Sequence, residues 1–325
     1  MTENNKVWRL FDSLFENLQN AENIYQEKPL LAHYTSIQTV EKILTMEEVW
    51  LSNPLFMNDM EELHFGLNVG MHQFQHLSIV EEICGKKKAD DARRLISDCF
   101  INFEKNHALN VSVFCLSEHH PEDNDGRLSM WRAYGSDGNG AAIVLNTEHV
   151  YKWEGSPLIF AKVDYLSMND RLEKLQKIIV NWCHIVAKNQ IPENLFYLAP
   201  TYLFDVLKFF SLTTKHKGFE EEREWRVIYM PERDVNGILK DNFGYVIGNR
   251  GVEPKLKLKI APLPGSPINS QISLQNMLNR IILGPCVSSP LAENCFRGML
   301  TQINKPHLAE KVVASTIPLR PTRLI

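Results

Sequence analysis

Apolar positions recur along this chain with two periods, and the switches between them mark out the elements. Val7, Leu10, Phe11, Leu14, Phe15 and Leu18 fall on one helical stripe, which predicts an amphipathic N-terminal helix. Leu30 to Thr35 is a short strand. Ser36 is a good helix N-cap for a helix over 39–44. Trp50 to Pro54 is a second strand, stopped by its proline. Asn58-Asp59 and Glu61-Glu62 then open a helix that runs through His76, where acidic residues suit the positive end of the helix dipole. Residues 78–106 are helical, with a polar break at 85–91. Val111 to Ser117 is apolar on both faces, as in a buried strand. A polar loop over 119–126 leads to a helical turn carrying Met130, Trp131 and Tyr134. The glycine-rich turn 135–140 reads as a hairpin-type connection into a strand over 141–145. Two helices follow at 171–188 and 193–210. The second carries Phe196, Tyr197, Tyr202, Phe204, Phe209 and Phe210, an aromatic stripe that marks core. Strands at 255–260, 280–285 and 312–317 and a helix capped by Ser289 complete the chain.

Strands and helices mixed in this order predict an α+β fold with a mainly antiparallel central sheet and helical insertions. The expected organisation is one compact domain over 1–325, with a helical arm over 1–28 and a helical insertion over 60–107.

One stretch departs from ordinary patterning. Between Phe219 and Tyr229, Trp225, Val227 and Tyr229 alternate with Glu224, Arg226 and Ile228. This is a strand with carboxylates and guanidinia at its mouth. Strict alternation puts Glu222, Glu224 and Arg226 on one face and Trp225 and Val227 on the other. Four acidic residues at 220, 221, 222 and 224 repel one another unless cations pair with them. Charge at the entrance of a buried strand has two explanations, a salt-bridged strand start or a functional site.

Composition narrows the function classes. The 325 residues are 44% hydrophobic and 23% charged, with a formal net charge of -4, so a broad duplex-DNA face is not expected. The six cysteines are scattered, with no C-x-x-C pair and no secretory leader at Met1 to Asn5. This predicts free thiols and a cytoplasmic setting. No apolar run reaches the roughly 20 residues of a membrane helix. His64, His72 and His76 share a helical face, but no carboxylate or cysteine converges with them, so no metal is expected.

Four segments together resemble one family. They are His33-Tyr34-Thr35-Ser36; Leu51-Ser52-Asn53-Pro54 followed by Asn58-Asp59 and Glu61; Phe114 to Ser117 followed by Met130-Trp131-Arg132-Ala133-Tyr134; and Phe219 followed by Glu222 to Arg226. Their order and spacing are similar to the bacterial domain-of-unknown-function family numbered 2971, over most of residues 30–285. More distantly, a first strand with His, a second with Ser, a later aromatic and a late strand with Glu resemble the ADP-ribosyltransferase arrangement and its split sheet. That resemblance implies cleavage of the N-glycosidic bond of NAD as co-substrate. His33 would hold the ribose, with Tyr34 its backbone neighbour. Ser52 would lie beside ribose or phosphates, and Trp131 or Tyr134 would stack on the nicotinamide. Glu222 or Glu224 would be the catalytic carboxylate, and Arg132 and Arg226 would meet the pyrophosphate. A fixed carboxylate stabilises the positive charge that develops on the ribose. The acceptor would be a protein or nucleic acid, and such an activity in bacteria implies a toxin or anti-phage effector.

Two other readings fit the same residues. One is a non-catalytic module that binds a nucleotide or a nucleic-acid end. The other is a metal-dependent hydrolase or nuclease using Asp59, Glu61, Glu222 and Glu224, which requires those carboxylates to converge.

Overall fold

Side-chain caps set several element ends. Ser36 Oγ accepts the Thr39 N–H at 3.2 Å and starts helix Ile37–Met46. Ser289 Oγ accepts the Ala292 N–H at 3.2 Å, with Pro290 opening helix Pro290–Gln302. Ser167 and Asp170 form a reciprocal capping box at the head of helix Met168–Lys188, satisfying two otherwise orphaned N–H groups. The polar break expected at 85–91 shrinks to Gly85, which ends helix Ser78–Cys84 at φ 78; the chain re-enters a helix at Lys86.

The structure, a computed structural model, describes residues 2–16, 18, 24–57, 61–151, 153, 155–248, 251–266 and 271–319; at 16, 61, 62, 64, 65 and 248 it describes the backbone alone. Asn58 and Asp59 lie outside the described residues, and the backbone of Glu61 begins helix Glu61–His76. The strands are β1 Leu30–Thr35, β2 Glu48–Ser52, β3 Ser112–His119, β4 Ala141–Asn146, β5 Leu158–Lys162, β6 Asp164–Leu166, β7 Thr214–His216, β8 Glu224–Tyr229, β9 Phe243–Gly248, β10 Gly251–Lys259, β11 Leu278–Leu283 and β12 Val312–Ala314. The fold is α+β, as the sequence predicts.

Where one compact domain is expected, the chain divides into two compact units, each assembled from three separate segments. The first holds residues 1–21, 53–112 and 163–219. It is helical apart from the short parallel pair β6–β7. Its centre is helix Leu198–Thr213, where Phe204, Phe209 and Phe210 are buried. The stretch 193–213 has the length and mean hydropathy of a membrane span, 1.3, which the sequence reading missed; 83% of its apolar window is buried inside the protein. Trp182 Nε1 donates to the Ala199 carbonyl at 2.9 Å and fixes one helix against another. Lys208 is buried in this apolar setting, and its ammonium pairs with Asp205 at 3.0 Å.

The second unit holds residues 22–52, 113–162 and 220–325. It is built on a ten-stranded, mainly antiparallel sheet in the order β12-β11-β4-β1-β3-β2-β10-β9, with β8 branching from β3 and β5 pairing β8. Only β11–β12 is parallel among its described pairs. β1 pairs with β4 along its whole length, from Leu30↔Asn146 to Thr35↔Ala141. Its ladder with β3 covers only Leu30↔His119, Leu31↔Glu118 and Ala32↔Ser117. Alternation sends side chains into two clusters. Leu31, Phe114, Leu116, Trp225, Val227 and Tyr229 pack in the larger. Ala32, Tyr34, Met130, Trp131, Ala142, Val144 and Ile282 form the smaller, on the other side of β1.

Candidate functional site

Glu61 of the hydrolase reading belongs to the helical unit, whereas the residues expected to bind or cleave NAD belong to the sheet unit. The loop between β3 and helix Leu128–Ala133 organises them. Asp123 Oδ1 accepts the Asp125 and Gly126 N–H groups at 2.8 and 2.9 Å, closing a tight turn. Gly126 has φ 72, and a Cβ there would sit 2.8 Å from Tyr34 Oη, so the turn requires glycine. Trp131 Nε1 donates to the Asp125 carbonyl at 2.8 Å. The Tyr34 and Trp131 rings meet edge to face at 4.8 Å, and Tyr34 Oη accepts the Arg127 N–H at 3.1 Å. Burial pushes the Tyr34 phenol above its ordinary value, against the pull of the Arg127 N–H and guanidinium.

Arg127, which the sequence reading did not single out, ties this loop to the start of β8. Its Nη1 donates to Ser117 Oγ at 3.0 Å and to the Glu221 and Glu222 carbonyls at 2.9 and 3.3 Å. Its Nη2 donates to the Glu118 carbonyl. Ser117 Oγ in turn donates to the Glu222 carbonyl at 2.6 Å. The only sequence signal for Arg127 is its place just after the Asp123 to Gly126 turn.

The acidic run splits in a way strict alternation does not anticipate. Residues Lys217–Glu222 form a 3-10 turn, and the strand begins only at Glu224. Between them Arg223 takes φ 41, a left-handed backbone uncommon for a side-chain-bearing residue. The expected common face of Glu222, Glu224 and Arg226 is therefore broken. Glu222 is half-buried in the turn, and its Oε1 accepts the Tyr134 hydroxyl at 2.7 Å. Glu224 is buried and bidentate with Arg226: Nε to Oε1 at 2.8 Å and Nη2 to Oε2 at 3.1 Å. The Arg226 charge is thus matched within the strand, which does not fit the pyrophosphate role. Arg132 is exposed on helix Leu128–Ala133.

His33 lies apart from these groups. Its ring packs on Phe114 at 4.4 Å, on the side of Leu31, and Nδ1 lies 3.1 Å from the Cys115 carbonyl. That carbonyl is beyond the point where β1 leaves the β3 ladder, so the imidazole stands in for a missing strand bond. Burial lowers the His33 pKa below its ordinary value, opposed by the Cys115 hydrogen bond. Glu224 and Arg226 alternate with Trp225 and Val227, which share the cluster of Leu31 and Phe114. The expected single cleft holding His33, Trp131 and Glu224 is therefore not formed: His33 looks to one face and Glu224 to the other. Trp131 is 0% exposed and unavailable for stacking. Ser52 lies elsewhere, accepting Lys255 Nζ at 2.9 Å, while that ammonium also meets Glu253 at 3.0 Å.

The residues that do come together are Tyr134, Glu222, Ser117 and Arg127, with the Glu224–Arg226 pair one step along the chain. Among the described residues, no three His, Cys, Asp or Glu side chains converge as metal ligands would.

No curated protein matches the chain. No solved structure matches it either. Residues 130–227, which run from the Met130-Trp131 turn through the acidic run into β8, match the model of the family described as Protein of unknown function (DUF2971).

Proposed function

We propose that the chain cleaves the N-glycosidic bond of NAD in an ADP-ribosyltransferase-like reaction, with Glu222 as the working carboxylate. The observation that carries this reading is the fixation of Glu222. Its carboxylate is half-buried and held by the Tyr134 hydroxyl at 2.7 Å, and its carbonyl is held by Ser117 and Arg127. Ser117 is the ladder partner of Ala32, beside His33 in β1. A carboxylate that does not need to reorganise suits a reaction in which positive charge develops on the ribose as nicotinamide leaves with the bonding electron pair. Arg132 is an exposed guanidinium two residues before Tyr134 in the chain, suited to the pyrophosphate. Glu224 and Arg226 serve as the buried anchor of the strand. Water or a nucleophile on a protein or nucleic acid would accept the ribosyl carbon. A cytosolic toxin or anti-phage role goes with such an activity.

Purified protein incubated with NAD, alone and with cell lysate, should release nicotinamide, measured by chromatography. Glu222→Gln should lower the rate by at least the hundredfold typical of losing one aligned charge-stabilising group, about 10²–10³. No nicotinamide under either condition, or an unchanged rate in Glu222→Gln, overturns the proposal. The buried Trp131 and the engaged His33 imidazole favour a second reading, a nucleotide-binding module without chemistry. It predicts thermal stabilisation by NAD or another nucleotide, with no nicotinamide released.

A further inference from the structure

The helical unit brings two of its cysteines together. Cys84 is the last residue of helix Ser78–Cys84, and Cys183 lies within helix Met168–Lys188. Cys84 Sγ donates to the Cys183 carbonyl at 3.7 Å, and the two thiols also share a hydrogen bond. Both are free thiols; Cys183 is 0% exposed and Cys84 is half-buried. Directly after Cys84 the helix breaks at Gly85, where φ is 78 and an added Cβ would meet nothing within 4 Å. One member of the pair therefore meets solvent at an open helix end, and the other is buried.

We propose that Cys84 is a site of oxidation by hydrogen peroxide and that Cys183 resolves it, closing a reversible disulfide between the two helices. The hydrogen bond from Cys183 and the nearby Lys88 ammonium hold the Cys84 thiol below its ordinary pKa, against the effect of burial, and the thiolate is the nucleophile. The Cys84 sulfur attacks one peroxide oxygen and the O–O bond breaks. Hydroxide leaves and takes up the proton that Cys84 released, giving water and the Cys84 sulfenic acid. The Cys183 sulfur then attacks the Cys84 sulfur, and hydroxide leaves with the Cys183 thiol proton as a second water. Two thiols and one peroxide thus give one disulfide and two waters. The Cys183 pKa is raised first by its hydrogen bond with Cys84 and then by burial. Oxidation of Cys84 consumes the thiolate that holds the Cys183 proton, which frees Cys183 for the second step. Hydrogen-bonded sulfurs need only a short closure, at the terminal residue of a helix, to reach the roughly 2.05 Å of an S–S bond. Both cysteines belong to the helical unit, whereas Tyr134, Glu222, Ser117 and Arg127 belong to the sheet unit, so this chemistry stands apart from that of Glu222.

The test treats the full chain with hydrogen peroxide, blocks the remaining thiols with iodoacetamide in urea and maps the peptides by mass spectrometry, with the exposed Cys295 as internal reference. The expected result is a cross-linked species joining the Cys84 and Cys183 peptides, lighter by the two thiol hydrogens. Both cysteines should be lost from alkylation before Cys295 is, and dithiothreitol should restore both. In Cys183→Ser the cross-link should vanish and Cys84 should stop at the sulfenic acid, trapped by dimedone. If that variant fails to fold, the native chain still decides. Cys84 that remains open to alkylation once Cys295 is oxidised overturns the proposal. So does a Cys84 cross-link to any other cysteine, oxidation of Cys84 with Cys183 still a free thiol, or a dimedone adduct as abundant in the native chain as in Cys183→Ser.

Discussion

The Glu224–Arg226 pair makes a sharp quantitative prediction. Arg226 is 1% exposed and Glu224 5% exposed, and two hydrogen bonds of 2.8 and 3.1 Å join them within one strand. At an effective dielectric of about 20, opposite charges about 4 Å apart attract by about 4 kcal/mol. Taking both ions out of water offsets most of that gain, so the pair as a whole is worth little to stability. Breaking it is different, because the surviving charge stays buried. Arg226→Met and Glu224→Leu should each destabilise by about 3–5 kcal/mol, whereas the double variant should lie within about 1–2 kcal/mol of the native chain. Urea unfolding, followed by tryptophan fluorescence and circular dichroism, measures all four corners of the cycle. Two results refute the reasoning: a single Arg226→Met variant within about 1 kcal/mol of native, or a double variant as unstable as the two singles added.

Other consequences are smaller. Tyr34→Phe strips the acceptor from the Arg127 N–H and should cost about 1–3 kcal/mol, read as a lowered melting temperature. His33 has a folded pKa held below the ordinary 6.5 by burial, so the unfolded chain binds the extra proton first. Stability should be full above about 6.5 and fall as pH drops from there toward the folded value. His119, lowered by burial as well, adds to the same window. His33→Gln should flatten the slope, and a slope unchanged by it would remove His33 from the account. Cys84 is half-buried, and a hydrogen bond with the Cys183 thiol, with Lys88 nearby, holds its pKa below the ordinary value; Cys183 is buried and raised. Iodoacetamide near pH 8 should therefore alkylate Cys84 well before Cys183, as peptide mass spectrometry would show, and comparable rates would contradict this.

The sequence disclosed what depends on neighbouring residues. The Ser36 and Ser289 caps, the doubly apolar β3 and the aromatic helix near Phe204 all follow from local pattern. Hydrogen bonds between distant segments were hidden. Nothing in the spacing of Arg127 says that it will gather carbonyls from Glu118, Glu221 and Glu222. The face of His33 was equally hidden, because it depends on where β1 leaves β3. The alternation argument failed at one residue: it assumes extended backbone throughout, and Arg223 at φ 41 violates that between the two glutamates. The division into two units escaped because each is made of segments far apart in the chain, and composition does not change at the crossings.

Those crossings have a consequence in time. The chain passes between units at 21/22, 52/53, 112/113, 162/163 and 219/220. On a ribosome the helical unit has all its segments once Phe219 has emerged. The sheet unit still lacks β8 to β12, among them β11, which flanks β4. Until those strands emerge, a growing chain carries β4 without β11, β2 without β10 and β3 without β8. Unpaired edges invite pairing with other chains, and domains tend to fold in order of emergence. The helical unit is positioned to be the first folded body, and emergence of β11 and β12 is the event that completes the sheet.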